Sequence, residues 1–429
     1  MNLQPKVAII GAGFSGLSLA WHLQRLGVAV EIYEKQNRVG GLISTTLEPM
    51  MVEAAAHALL ANADVEQLFK ELNLEICPAG YKSNKKWIFR GRPRKWPLDI
   101  FTSIKTVLKF LFKRLTSDHE PKPQETVQDW CCRITNTDVN NYLLAPALQG
   151  VYGAQTNQLS AALIIGGIFA KDLRVRRGRF KGSVAPEQGM QQLIEKLTYY
   201  LKNNNTKFHF GVVPNITELQ KNFSAVVIAT SNFSAAPIIA AVAPVLSHHL
   251  AQLDSVGLVS VTIRLQSASK RINGFGCLFP QSENFNSLGV LFNNNIFQGR
   301  GPAENETWIF TDTVINLSDA EILEKILADR LRVCDEPVVI ANFKIVRWPG
   351  VLPLYGFKLE KLLMSDVFEL KNTKSTFTHL NILRGGAKSA ESKFPLFLTG
   401  NYLGGIGLSK ILSYNYRLAQ RIVNEFGEK

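Results

Sequence analysis

The sequence predicts an α/β protein, α+β overall, and three observations carry that prediction. An apolar strand pattern runs into a glycine turn and a helix close to the start. A second strand, glycine turn and helix stand near the other end. Between them lie long β-patterned stretches, interrupted by a basic, helix-patterned segment.

The first element is Val7-Ala8-Ile9-Ile10, a short β-branched run of the kind that forms a buried parallel strand. Gly11-Ala12-Gly13-Phe14-Ser15-Gly16 follows at once. Leu17, Leu19, Ala20, Leu23 and Leu26 then recur at helical spacing until Gly27 stops the helix. Val28 to Tyr33 reads as a second strand ending at Glu34. Gly11 permits the tight turn, Gly13 lets backbone approach a pyrophosphate, and Gly16 lets helix and strand pack closely. The helix N-terminus presents free N–H groups to phosphates. Glu34 stands where a carboxylate accepts hydrogen bonds from ribose hydroxyls, which argues against a 2′-phosphate. These residues alone leave NAD and FAD both open.

At the far end, Phe394 to Asn401 reads as a strand entering a turn, and Tyr402-Leu403-Gly404-Gly405-Ile406-Gly407-Leu408 is glycine-rich. A helix from about Ser409 to Phe426 follows, and its positive end would suit the negative charge of a reduced flavin. An NAD-binding unit normally needs only the first motif. Two separated nucleotide motifs point to FAD.

Composition agrees with a large folded protein. The chain has 429 residues, of which 46% are hydrophobic and 19% charged, so it is globular and long enough for two or three domains. The net charge of +13 draws it toward anions: nucleic acid, acidic lipid or an acidic substrate. The five cysteines show no CxxC spacing and no histidine cluster, so neither a disulfide framework nor a metal site is expected, and a reducing compartment fits. A strand that begins at Val7 leaves no room for a signal peptide, and no apolar run is long enough to span a bilayer.

Residues 97 to about 180 carry a basic amphipathic pattern. From Phe101 to Leu115, Ile104, Leu108, Leu111 and Leu115 share one face of a helix, and Lys105, Lys109 and Lys113 share another. Trp87, Trp96, Arg90, Arg92, Arg94 and Lys95 stand nearby, and Arg174, Arg176, Arg177, Arg179 and Lys181 follow. The pattern fits a helix lying in an anionic membrane interface, and equally a core-facing helix with a solvated lysine face. No nucleic-acid module is visible, so nucleic acid is not the expected partner. Lys122 between Pro121 and Pro123 marks an exposed linker.

The segment Glu34-Lys35-Gln36-Asn37-Arg38-Val39-Gly40-Gly41 resembles the extension of the FAD-dependent amine oxidase and protoporphyrinogen oxidase superfamily, where the arginine and paired glycines bring a loop over the FAD pyrophosphate. The resemblance continues along nearly the whole chain. Gly400-Asn401-Tyr402 to Leu408 is similar to the C-terminal FAD motif of protoporphyrinogen oxidases. So are Pro146, Gly150-Val151-Tyr152-Gly153-Ala154 and Leu159-Ser160 to the family's P…GVYAGD…LS segment, and Gly189-Met190 with Leu193 to its GM..L helix. Val213 and Ile216 resemble a V-x-x-I strand at the adenine end, and Val226 to Thr230 a strand beside the nucleotide. Gly274 to Pro280 resembles GFG.L.P, and Arg347-Trp348 to Tyr355 resembles RW..A.PQY.

The family resembled is the oxygen-dependent protoporphyrinogen oxidases. The resemblance implies FAD held by Gly11, Gly13, Phe14, Ser15, Gly16, Glu34, Lys35, Arg38, Gly40, Gly41 and Leu42. It adds Val213, Ala229, Thr230, Trp348, Gly400, Asn401, Gly405, Ile406 and Leu408, and places His57 near the isoalloxazine. A lone histidine is more often structural, and no catalytic residue is assigned. Arg90, Arg174, Arg347 and Tyr355 are expected at the substrate.

The implied fold is of the p-hydroxybenzoate hydroxylase or amine oxidase kind. Its Rossmann-type FAD domain takes 1–75, 185–235 and 385–429, its mixed-sheet substrate domain 76–96 and 236–384, and its helical insertion 97–184. The implied reaction oxidises protoporphyrinogen IX or coproporphyrinogen III by hydride transfer to flavin N5, with oxygen or a quinone as electron acceptor. The implied location is cytoplasmic, or peripheral on the inner face of the cytoplasmic membrane. Two departures weigh on the substrate. Ala54-Ala55-Ala56-His57 replaces the family's Gly-Pro-Arg or Gly-Pro-Asn, and Lys358-Leu359 replaces a Gly-His pair. An amine oxidase, a polyene desaturase and a non-catalytic FAD-binding protein are the alternatives.

Overall fold

In the structure, a computed structural model describing residues 5–115, 119–169, 176–267, 272–300, 305–369 and 386–427, the chain begins with a parallel sheet. β1 (Lys6–Ile10) feeds helix α1 (Phe14–Arg25), which returns to β2 (Ala29–Glu34). β-branched and apolar residues fill these strands because both faces are covered. The short strands β3 (Thr45–Thr46) and β4 (Val52–Glu53) form an antiparallel pair. β5 (Leu59–Leu60), β6 (Cys77–Pro78) and β9 (Ser183–Ala185) form a three-stranded sheet around β9, with helix α2 (Ala63–Glu71) after β5.

β10 (Lys207–Phe210), β11 (Ala225–Ile228), β17 (Ala387–Lys388) and β18 (Leu396–Leu398) complete a six-stranded sheet in the order β10-β2-β1-β11-β18-β17. Every pairing in it is parallel except β17 on β18. Three distant stretches of chain therefore build one sheet. Leu412, Tyr414 and Leu418 of the C-terminal helix Leu408–Gly427 share a buried core with Leu17 and Trp21 of α1.

β7 (Lys86–Arg90), β8 (Arg92–Arg94), β12 (Ser255–Leu265), β13 (Gly276–Leu278), β14 (Gly289–Phe292), β15 (Asn305–Thr311) and β16 (Ile340–Pro353) form a seven-stranded sheet in the order β16-β12-β15-β14-β13-β7-β8. β13 on β7 is parallel and the other pairings are antiparallel, so the sheet is mixed, as expected. It has its own core around Trp308, Phe310, Phe279 and Val261. Between β8 and β9 the described elements are helices, joined by loops, from α3 (Ile100–Leu115) onward.

Two expectations change. Val213 and Ile216 do not form a strand. β10 ends at Phe210, Gly211 turns the chain at φ +69°, Val213 lies exposed in the loop, and Ile216 opens a helix. Pro214 has no N–H to give a ladder, and the Asn215 side chain accepts from Thr217 N at 2.9 Å, a helix cap. The alternative of a core-facing helix at 101–115 also falls. α3 has no buried residue, and Phe101 and Leu115 are each 84% exposed. Lys109 instead donates to the Cys132 carbonyl at 3.0 Å, so part of the lysine face packs while the apolar face is bare.

Candidate functional site

The glycines of the first turn divide by what surrounds them. A Cβ on Gly11 would sit 2.7 Å from the Ala229 carbonyl oxygen, and Gly11 adopts φ +113°. A Cβ on Gly16 would meet the Gly11 carbonyl oxygen at 2.0 Å. Both are packing requirements. Gly13 is different: the nearest atom to its would-be Cβ is Gly41 Cα at 3.9 Å. It caps α1 without a side-chain hydrogen bond, so the first-turn N–H groups beginning at Phe14 and Ser15 have no side chain answering them.

The turn at Gly40-Gly41 closes over this one. Gly40 N donates to the Ala12 carbonyl at 2.8 Å, and Gly13 and Gly40 form a parallel bridge. The Arg38 guanidinium donates to the Gly41 carbonyl at 2.5 Å, while Lys35 and Leu42 are exposed. Glu34 accepts from Ala12 N at 2.8 Å and from Gln36 N at 2.9 Å, which fixes its carboxylate at the carboxyl end of β2.

The C-terminal turn meets the same edge. Ala229 N donates to the Ile10 carbonyl at 2.8 Å, and Thr399 N to the Ile228 carbonyl at 2.9 Å, so the ends of β1, β11 and β18 lie side by side with Thr230 beyond them. Gly400 (φ +153°) and Gly405 (φ +90°) bound the turn, Ile406 follows, and the helix begins at Leu408. The Tyr355 hydroxyl donates to the Asn401 carbonyl. Burial pushes the Tyr355 phenol well up, so it stays a donor.

Residues 53–60 form a strap fastened at four points. Glu53 accepts from Thr45 Oγ1 at 2.8 Å and Met190 N at 3.0 Å, and pairs with Arg300 in a buried ion pair. Trp348 Nε1 donates to the Ala54 carbonyl at 2.7 Å, and Arg300 to the His57 carbonyl at 3.4 Å. Ser409 Oγ donates to the Leu60 carbonyl at 2.7 Å, joining the strap to the C-terminal helix. Burial, opposed by Arg300, pushes the Glu53 carboxyl up. Burial and the same guanidinium bring His57 down to about 4, so its imidazole is neutral at pH 7.

Of the residues expected at the substrate, the three that are described offer no free charge beside these turns. Arg90 donates to the Pro97 carbonyl at 2.9 Å, pairs with Asp138 at 3.1 Å and stacks on Tyr142. Arg347 donates to the Ile315 and Leu317 carbonyls and pairs with Asp319 at 2.7 Å. Tyr355 is buried edge-on against Tyr152, its hydroxyl given to Asn401, so it builds no open aromatic wall. Arg174 lies outside the described residues. The sequence reading missed Arg300, Asn293 and Asn415. Arg300 and Asn415 act through partners 247 and 400 positions away, Asn293 acts through Thr307 on the neighbouring strand, and the local signal was the glycine-flanked turn at Gly299-Arg300.

Comparison with known proteins agrees with this architecture. A family described as "NAD(P)-binding Rossmann-like domain" matches residues 9–72. Protoporphyrinogen oxidase 2, chloroplastic/mitochondrial, of Arabidopsis thaliana is 23% identical, over 98% of this chain and 94% of its own. Among solved structures, a protein of Exiguobacterium provisionally named a protoporphyrinogen oxidase superposes with TM-score 0.71 at 15% identity, covering 99% of each chain. Putrescine oxidase bound to putrescine gives TM-score 0.66 at 16% identity, covering 100% of each. The chain has the fold of the FAD-dependent amine oxidase-type oxidoreductases, and along nearly its whole length it is a sequence relative of the protoporphyrinogen oxidases.

Proposed function

We propose that the chain binds FAD and oxidises a porphyrinogen, protoporphyrinogen IX or coproporphyrinogen III, to the porphyrin. The observation that carries this is the meeting of two glycine turns on one sheet edge, with a strap from the opposite side of the site fastened to the second turn's helix. Support for the substrate comes from the whole-length similarity to protoporphyrinogen oxidase.

The residues present fit FAD. Gly13 leaves backbone room for a pyrophosphate at the uncapped start of α1, and Glu34 stands fixed for a ribose. Arg38 and the Gly40-Gly41 turn would close over the phosphates, and Gly400 to Leu408 would hold the ring end. FAD, when bound, supplies a two-electron acceptor, reoxidised by oxygen or a quinone. The chain's own part is to bind, orient and enclose. His57, neutral, and Tyr355, protonated, supply no charge that would compete with the cofactor.

The bare apolar face of α3, edged by Lys105 and Lys113, supports docking on an anionic membrane surface. Among the described residues no helix is long and apolar enough to cross a membrane. The reading is therefore a protein at the inner face of the cytoplasmic membrane or in the cytoplasm.

The test is anaerobic mixing of FAD-loaded protein with each porphyrinogen, following flavin bleaching and porphyrin fluorescence. Matched bleaching and fluorescence establish the reaction. No bleaching with either, while dithionite still reduces the flavin, moves the function to another substrate or to a non-catalytic flavoprotein.

A further inference from the structure

Lys410 stands in the first turn of the C-terminal helix, and its side chain lies back over the glycine turn before it. A Cβ on Gly405 would sit 3.0 Å from Lys410 Cδ, so the bare glycine makes room for the lysine stem. That direction is the ordinary lean of a helical side chain toward the helix start. The Lys410 ammonium lies over the Tyr152 ring, 6.0 Å from its centre. Tyr152 ends the helix Ala145–Tyr152 and is edge-on to Tyr355, whose hydroxyl is given to Asn401 in the same turn. Ser409, next in the chain, holds the strap at Leu60. The C-terminal turn, the strap's far end and the helix Ala145–Tyr152 therefore meet around Lys410.

The charge of Lys410 is unspent. The residue is exposed, and among the described residues no carboxylate pairs with it and no carbonyl accepts from it. Its contact with Tyr152 is worth about 0.5–1 kcal/mol at an exposed site, little enough to be given up to an anion. The neighbouring cations are committed. Arg90 pairs with Asp138, Arg347 with Asp319, Lys358 with Asp254 and Arg300 with Glu53. Asp64, which meets the same helix at Ser413, is held by Ser413 and Arg176 and does not answer Lys410. The strap supplies no cation either, since it runs Ala54-Ala55-Ala56-His57 and His57 is neutral. An ammonium is a compact charge with three donors on a flexible stem, which suits one carboxylate on a ligand whose ring rests against apolar and aromatic surface.

We propose that Lys410 binds a carboxylate of the substrate, holding an acidic planar molecule by its edge beside the C-terminal turn. The proposal rests on the porphyrinogen reading for the identity of that molecule, whose propionate groups carry the charge.

The experiment uses the FAD-loaded protein, protoporphyrin IX and protoporphyrin IX dimethyl ester, which has the same ring and no carboxylate, both in one detergent. Kd is read by porphyrin fluorescence, so no turnover is needed. Wild type is expected to prefer the acid about fivefold at low salt and to lose that preference as salt rises. Lys410→Met is expected to remove the preference by weakening the acid and leaving the ester unchanged, with FAD Kd as in wild type. Lys410→Gln gives the same comparison if the methionine variant does not fold, and Lys410→Arg should keep most of the preference. A folded Lys410→Met that prefers the acid as wild type does, or that weakens acid and ester alike, overturns the proposal. A wild type that shows the preference yet never oxidises a porphyrinogen overturns the functional reading alone.

Discussion

Asn415 Nδ2 donates to the Ser15 carbonyl oxygen at 2.7 Å and to Ser18 Oγ at 2.8 Å, across 400 residues of sequence. Its Oδ1 accepts from Thr399 Oγ1 at 2.5 Å, at the end of β18. One fully buried amide thus fixes the C-terminal turn relative to the first turn of α1. Asn415→Leu removes three hydrogen bonds, leaves the buried Thr399 hydroxyl without its acceptor, and is expected to destabilise the protein by about 3 kcal/mol. It should also loosen FAD, because the two halves of the site lose their register. Thermal unfolding and FAD titration check both effects; a variant as stable as wild type would contradict the assignment.

The two inner glycines of the first turn should fail in different ways. Gly13→Ala meets nothing nearer than 3.9 Å and keeps φ −73°, so the fold should survive while FAD affinity falls at least about tenfold. Gly16→Ala would drive a methyl to 2.0 Å from a backbone oxygen and should not yield folded protein. Normal FAD binding by a folded Gly13→Ala would remove the pyrophosphate from that turn.

Glu53→Gln leaves Arg300 buried without its carboxylate. The expected cost is about 3–5 kcal/mol, measured by denaturant unfolding. Adding Arg300→Met should return part of it, since the two residues share one ion pair.

Stability should fall on acidification through two buried histidines. His22, buried against Leu412, and His57 are both brought from 6.5 to about 4, chiefly by desolvation. The folded state therefore binds fewer protons than the unfolded state between those values. Unfolding is favoured progressively as pH drops from about 6.5 to about 4, by up to about 3 kcal/mol per histidine. His22→Gln should flatten that slope in pH-dependent melting curves; an unchanged slope would show that His22 does not titrate in this window.

On α3, Leu108→Asp with Leu111→Asp should leave the melting temperature nearly unchanged, since both side chains are solvated. The same variant should lose co-sedimentation with anionic phospholipid vesicles. Equal sedimentation by variant and wild type would separate α3 from any membrane contact.

What the sequence made legible was local. Strand, turn and helix at 7–34 follow from β-branched runs, glycines and helical spacing within one window, and the structure repeats them nearly residue for residue. The C-terminal helix was readable for the same reason. At 213–216 the resemblance points to a strand, whereas Pro214 and the cap at Asn215 belong to a loop entering a helix. Arginine roles were the least legible. Arg90 and Arg347 find carbonyls and carboxylates brought in by tertiary packing, while Arg300, unremarked in sequence, pairs with a residue 247 positions away. Charge type is written in the sequence, but its partner is decided by the fold.

The six-stranded sheet also constrains how the protein is made. Synthesis delivers β1, α1 and β2 well before β18 and the helix Leu408–Gly427. Until those elements are made, the outer edge of β11 and the face of α1 that packs on that helix stay uncovered. The nascent chain must carry an unclosed parallel edge through most of its synthesis, the condition in which non-local sheets aggregate. Yield should therefore depend on chaperone supply and slow translation more than on the stability of the finished fold.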